Sequence, residues 1–392
     1  MGKYDFDKII DRRNTYSMKW DVEDDVLPMW VADMDFETAP AVKKAILERA
    51  ENGAFGYTYA PDEYFNAIAD FWERRHGYRF ETSDMVYSSG VVAAVSSIVR
   101  KLTTPAEKVL IQPPVFNIFY NSIYNSGRYV LENNLVLNGN EYEIDFSDLE
   151  AKLSDPQVTL FILCNPHNPV GKVFTKEELA KIGELCFKYN VTVLSDEIHC
   201  EFTNPKLSYT PFASVNEICK KISVTCVSAS KSFNIAGLYG ACAIASDPLL
   251  RQRVYRCLNT DEVGEPNAFA ISANIAAYTQ CDDWLDELVD YVNENKRYAE
   301  KFISEHIPSL SVPKSKATYL LWIDASRVGM DSVTLCKELL EKARLLLSDG
   351  LEYGECGKYF IRMNLAAPRK TVKMGLELLK KGIETILSDK TN

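Results

Sequence analysis

The residue with the most chemistry in this chain is a lysine set among serines. Ser223-Val-Thr-Cys-Val-Ser-Ala-Ser-Lys-Ser-Phe-Asn-Ile-Ala-Gly-Leu238 reads as a short apolar strand that runs into a loop carrying Lys231 beside Ser228, Ser230 and Ser232. Alone, such a lysine is either a solvated surface amine, as most lysines are, or a nucleophile that closes a Schiff base on an aldehyde while the hydroxyls hold a phosphate. Three other residues bear on the choice. Phe116 follows the apolar run Lys108–Gln112, Asn168 follows Val158–Cys164, and Asp196 follows Val191–Leu194. An aromatic ring stacks on a flat heterocycle, an amide hydrogen-bonds a phenolic oxygen, and a carboxylate pairs with a protonated pyridine nitrogen.

Those residues need a scaffold that delivers them to one place. Lys108–Gln112, Val158–Cys164, Val191–Leu194, Ile222–Val227 and Tyr239–Ala245 are near-continuous apolar runs, and helical patterns separate several of them. Runs of this kind mark a mainly parallel sheet covered on both faces, and in such sheets ligands sit beyond the carboxyl ends of the strands. Helices are predicted over residues 40–52, from Pro40, over Tyr64–His76, and over Thr175–Tyr189 with Thr175 and Glu178 as a capping box. Ser88-Ser89-Gly90 opens straight into an apolar helix, which is either an ordinary serine cap or an anion site made by free backbone N–H groups. Asp196 by itself is a sheet-end carboxylate as readily as a functional one. With Phe116, Asn168, Asp196 and Lys231 brought to one sheet edge, the set describes a site for pyridoxal 5′-phosphate (PLP), with Gly90, Val91, Ser228 and Ser230 around its phosphate.

Outside that sheet, residues 1 to about 40 read as an irregular arm containing Trp30-Val-Ala-Asp-Met-Asp-Phe36. Phe55-Gly-Tyr-Thr-Tyr-Ala-Pro61 is an aromatic loop whose Tyr57 and Tyr59 are core tyrosines by default, or phenols that reach a ligand. Beyond residue 281 the pattern changes to charged amphipathic helices. Asp282–Ile303 is predicted to link to a small α+β part with strands Tyr319–Ile323 and Tyr359–Asn364 and helices Ser332–Ala343 and Thr371–Leu387. Arg362 lies inside the second of these strands. A buried guanidinium needs an anion, either an internal carboxylate or that of a substrate. The expected organisation is an N-terminal arm (1–45) packing with the small domain, a large PLP-binding domain (46–281) and a C-terminal small domain (282–392).

Composition narrows the remaining classes. At 392 residues, 46% hydrophobic and 25% charged, the chain reads as a soluble globular protein of two domains. A net charge of −11 with no basic block argues against nucleic acid and anionic membrane as partners. The N-terminus Met-Gly-Lys-Tyr-Asp-Phe-Asp-Lys shows no apolar signal core, and no uninterrupted apolar run is long enough to span a bilayer. The ten cysteines are scattered without Cys-x-x-Cys pairs, which points to a reducing cytoplasm, and the four histidines show no metal-ligand spacing.

Four motifs carry a resemblance that spans essentially the whole chain: Asn165-Pro-His-Asn-Pro-Val-Gly171, Ser195-Asp-Glu-Ile-His199, Ser228-Ala-Ser-Lys-Ser-Phe-Asn-Ile-Ala-Gly237 and Arg362-Met-Asn-Leu-Ala-Ala-Pro368. In this order they resemble the signatures of fold-type I PLP enzymes of aminotransferase class I/II. Trp30–Phe36, Phe55-Gly-Tyr57 and the Asp-Glu-Ile-His form resemble the MalY/PatB-type cystathionine β-lyase branch, which includes cystalysin-like C–S lyases. The resemblance implies an α/β large domain with a mainly parallel seven-stranded sheet between helices, plus a small α+β domain. It implies Lys231 as Schiff-base lysine and proton shuttle, Asp196 on the ring nitrogen, Asn168 on the ring oxygen, and Phe116 and His199 beside the ring. Ser89, Gly90, Val91, Ser228 and Ser230 would lie near the phosphate. Arg362 would hold the substrate carboxylate, with Asn117 and Ala32 beside the substrate. Tyr57 would reach the neighbouring subunit of a homodimer with shared active sites. The implied reaction is α,β-elimination on a sulfur-containing amino acid, giving pyruvate, ammonia and a thiol. Amino transfer to a 2-oxo acid is the alternative for the same residues, and a regulatory binding protein that keeps the fold is another. Two departures stand out: Phe116 replaces a tyrosine common in this branch, and Gly237-Leu-Tyr239 lacks the phosphate-binding arginine of aminotransferases proper.

Overall fold

The computed structural model describes residues 2–391. Its centre is a seven-stranded sheet in the order Met85–Ser88, Ala241–Ile244, Ser223–Val227, Thr192–Asp196, Val158–Cys164, Lys108–Ile111, Tyr129–Glu132. Only Ala241–Ile244 runs against its neighbours. The mainly parallel sheet predicted from the apolar runs is therefore present. Alternation explains why those runs are continuous. Val109, Ile111, Leu160, Ile162, Leu194 and Val224 pack on one face, whereas Leu110, Phe161, Leu163 and Val193 pack on the other.

The helices form where the pattern and caps demand them. Thr175 and Glu178 make the predicted capping box at the start of Lys176–Lys188, and Pro40 opens Pro40–Glu51. Lys231 departs from expectation: it sits on a single helical turn, Ala229–Ser232, whose N-cap Ser228 accepts the Ser230 N–H at 3.1 Å. The cap turns the chain sharply after the strand, so the lysine is fixed where a loop would leave it free.

A second, antiparallel sheet joins Leu320–Asp324, Phe360–Asn364 and Ser348–Asp349. Asp282–His306, Ser332–Ala343 and Arg369–Thr391 surround it. Trp322 faces Arg362 in the register and stacks flat on Phe360, ring centres 5.1 Å apart. The N-terminal segment is irregular as predicted, with one exception: Leu27–Pro28 pairs in parallel with Leu345–Leu346, and Leu27 and Met29 enter the second core. All ten cysteines are free. Among the described residues no helix is long and apolar enough to cross a membrane.

Candidate active site

The parallel register lines up the ends of three strands, with Asp196 flanked by Cys164 on one side and Cys226 on the other. A cavity of about 390 Å³ opens beyond them, walled by Phe116, Asn168, Asp196, His199, Ser230 and Lys231, with Ser89, Gly90 and Val91 at one end and Ala32 above. Ten of the residues singled out in the sequence thus share one wall. Four do not line it: Ser228, Arg362, Asn117 and Tyr57.

Lys231 donates to the Ala32 carbonyl at 2.6 Å. Burial pushes its amine down to about 8, against the pull of Asp33 and with the help of Arg362. Asp196 accepts a backbone hydrogen bond from Ile198 at 3.2 Å, and burial raises its carboxyl to about 6. An unneutralised carboxylate in so dry a place calls for a cation. His199 is buried, and burial together with Lys231 and Arg362 pushes it down to about 3, so it is neutral. Its Nδ1 has no hydrogen-bond partner among the described residues. Asn168 is anchored by its N–H to the Cys164 sulfur at 3.4 Å, and its side-chain oxygen faces Arg362 Nη1 at 3.4 Å.

At the other end, Gly90 has φ +134°, a conformation for which only glycine is suited, and turns the chain into Val91–Leu102. The first intrahelical bond is Ala94 N–H to Gly90 O, which leaves the opening N–H groups of the helix facing the cavity end. Ser228 and Ser230 hydroxyls lie 2.7 Å apart, and Ser228 also donates to Gly240 O, so it braces Ser230 from behind the wall. Together these make a cradle for a dianion at one end and a cation-seeking carboxylate at the other.

Arg362 is buried, bonds Trp30 O at 2.8 Å and Ser348 Oγ at 3.4 Å, and lies 4.9 Å from the Tyr353 ring centre. Its Nε is unpartnered, and it forms no ion pair among the described residues. Of the two anions considered for it, the internal carboxylate is absent. Tyr57 and Tyr59 correct the default reading: both are exposed, and they line a different cavity of about 720 Å³ with Tyr87 and Tyr255. Asn117, next in the chain to the cavity-lining Phe116, donates its Nδ2 to Glu352 Oε2 at 3.4 Å.

The sequence reading missed the groups that hold Trp30–Phe36 over the cavity. Tyr319 donates to Ala32 O at 2.9 Å, Asn364 to Val31 O and Asp33 O at 2.6 Å each, and Asn234 to Met34 O and Phe36 O. Asn234 and Asn364 lie within the two motifs that carry Lys231 and Arg362, which was the available signal.

The amine, the buried carboxylate, the unpaired imidazole nitrogen and the anion cradle all fit PLP, and the fold and site define a PLP-dependent enzyme of the aspartate aminotransferase fold. More narrowly, the chain belongs to the aminotransferase class I and II family, which matches residues 24–379. It is 42% identical to cystathionine beta-lyase PatB of Bacillus subtilis over 96% of this chain and 98% of that one. It is 33% identical to protein MalY of Escherichia coli over 98% and 100%. The crystal structure of cystalysin from Treponema denticola, which contains a pyridoxal 5′-phosphate cofactor, aligns with a TM-score of 0.94 at 32% identity, covering 97% of this chain and 99% of that one.

Proposed function

We infer that the protein is a PLP-dependent C–S β-lyase of the cystathionine β-lyase type, acting on sulfur-containing amino acids. The observation that carries this is the near full-length identity with cystathionine beta-lyase PatB together with the cavity that unites Lys231, Asp196 and Asn168. PLP, when bound, supplies the electron sink that stabilises negative charge at the substrate Cα. Lys231, whose amine is pushed down to about 8, becomes neutral at mildly alkaline pH and takes the α-proton. Asp196 would keep the ring nitrogen protonated, and Asn168, His199 and Phe116, which line the same cavity, would hold the ring. Ser89, Gly90, Val91 and Ser230 would hold the phosphate, with Ser228 bracing Ser230 from behind. Arg362, already oriented by Trp30 O, Ser348 and Tyr353, would receive the substrate carboxylate and so orient Cα for proton removal by Lys231, with Ala32 and Asn117 alongside. The thiolate leaves Cβ, and the remaining enamine hydrolyses to pyruvate and ammonia.

The same reading takes the protein as a homodimer in which Tyr57 serves the partner's site, supported by its full exposure. Division into an arm (1–45), a large domain (46–281) and a small domain (282–392) is supported by the two sheets and by the pairing of Leu27–Pro28 with Leu345–Leu346. Ten free cysteines support a reducing, cytoplasmic location.

Incubation with cystathionine or cysteine and no 2-oxo acid tests the reaction. Pyruvate accumulates over many turnovers if the protein is a lyase, and Lys231→Ala lowers the rate by roughly a thousandfold or more. Catalytic turnover that requires an added 2-oxo acid identifies an aminotransferase instead.

A further inference from the structure

Arg362 anchors one end of the substrate, and the residues near the cavity mouth decide what the other end can be. Once PLP fills a cavity of about 390 Å³, the Cβ substituent has to extend outward. The side toward Phe116 is bounded by two turns that are fastened together. Val115 N–H donates to Tyr353 O at 2.9 Å, and Asn117 Nδ2 lies 3.4 Å from Glu352 Oε2. Gly350, between the strand Ser348–Asp349 and the turn Leu351–Tyr353, is packed so closely that a side chain there would strike the carbonyls of Gly357 and Phe360. Glu352 is therefore held in place, with its backbone N–H also bonded to Asp349 Oδ1 at 3.3 Å.

The charges on this turn are not spent on Arg362. The arginine makes no ion pair among the described residues and keeps an unpartnered Nε. Glu352 is close enough to feel it: burial and Asp349 push the Glu352 carboxyl up, and Arg362 holds it down. A substrate passing between them meets a buried cation at its α-carboxylate and a solvent-exposed acid, held by Asn117 and backed by a second acid, at its distal end.

We propose that Glu352, supported by Asp349 and steered by Asn117, is a specificity-determining residue that selects thioether substrates whose leaving group carries a distal ammonium and disfavours those carrying a lone distal carboxylate. The proposal rests on the C–S lyase reading and deepens it. Cystathionine, with an amino group at each end, belongs to the favoured class.

Three near-isosteric substrates separate charge from size: S-(2-aminoethyl)cysteine, S-ethylcysteine and S-carboxymethylcysteine, each assayed for pyruvate with the holoenzyme and with Glu352→Gln. The ratio of kcat/KM for the aminoethyl compound to that for the ethyl compound is expected to fall about three- to fivefold in the variant, as for a partly screened pair, and the carboxymethyl-to-ethyl ratio to rise by a similar factor. The ethyl compound reports folding and chemistry, so a variant that merely damages the enzyme moves all three rates together. Ratios that stay unchanged while pyruvate forms from all three overturn the proposal. No pyruvate from any substrate with the wild-type holoenzyme overturns the lyase reading itself.

Discussion

At the scale of single residues, the site is defined by groups whose ordinary ionisation is opposed by burial, and Asp196 shows the consequence most directly. Its carboxyl rises from 3.8 to about 6 because it is dry, against the downward pull of its one backbone donor and of Lys231. The folded protein then holds a proton that the unfolded chain has released between those two values, so this group destabilises the fold as pH rises through that window. The penalty is absent below pH 3.8, complete above pH 6, and amounts to about 3 kcal/mol. In cofactor-free protein, Asp196→Asn should therefore gain stability relative to wild type as pH climbs from about 4 to 7, as denaturant melts across that range can measure. If Asp196 partners the ring nitrogen as proposed, the same substitution should lower lyase turnover roughly 10²–10³-fold. A constant stability difference across the range would mean that Asp196 is already charged. Lys231, Asn168 and Asp196 were legible because each follows an apolar run that can only be a buried strand. Tyr319 and Asn364 were not, because they act on backbone carbonyls of Trp30–Phe36, far away in sequence, and a side chain's bond to a distant carbonyl leaves no pattern.

Elements rather than residues make the anion cradle proposed for the phosphate, and its geometry hangs on one turn. Gly90, with φ +134° and ψ 156°, links the strand Met85–Ser88 to the helix Val91–Leu102. A Cβ there would meet the Tyr239 ring only at an ordinary 3.9 Å, so the obstacle to a side chain is backbone strain rather than collision. Gly90→Ala should shift the turn and cost about 1–3 kcal/mol, seen as roughly 5- to 100-fold weaker PLP binding when apoprotein is titrated and followed by absorbance. Unchanged affinity would place the phosphate elsewhere. The two-sided strands of the sheet were readable for the reason that made them apolar. Tyr129–Glu132 was not, since an edge strand with an exposed tyrosine has no continuous run, and Leu27–Pro28 is too short to carry any period. The serine-flanked turn of Lys231 reads as loop because a single helical turn contains no repeat.

For the whole molecule, the position of Tyr57 sets the problem. Sequence alone makes it a core tyrosine, yet it stands fully exposed beside the separate cavity bounded by Tyr59, Tyr87 and Tyr255. An aromatic cluster left open on one chain would gain by burial against a second copy, and in the proposed homodimer twofold symmetry would carry each Tyr57 toward the other subunit. If each site takes Lys231 from one chain and Tyr57 from its partner, two damaged proteins can repair each other. Lys231→Ala and Tyr57→Ala, each nearly inactive alone, are mixed by co-expression in equal amounts. Half of the dimers are then hybrids, and each hybrid has one site with both substitutions and one with neither. Pyruvate formation should return to about a quarter of the wild-type rate per chain, the fraction of intact sites that random twofold pairing yields. Were Tyr57 to act within its own chain, each hybrid site would carry one substitution, and mixing would restore nothing.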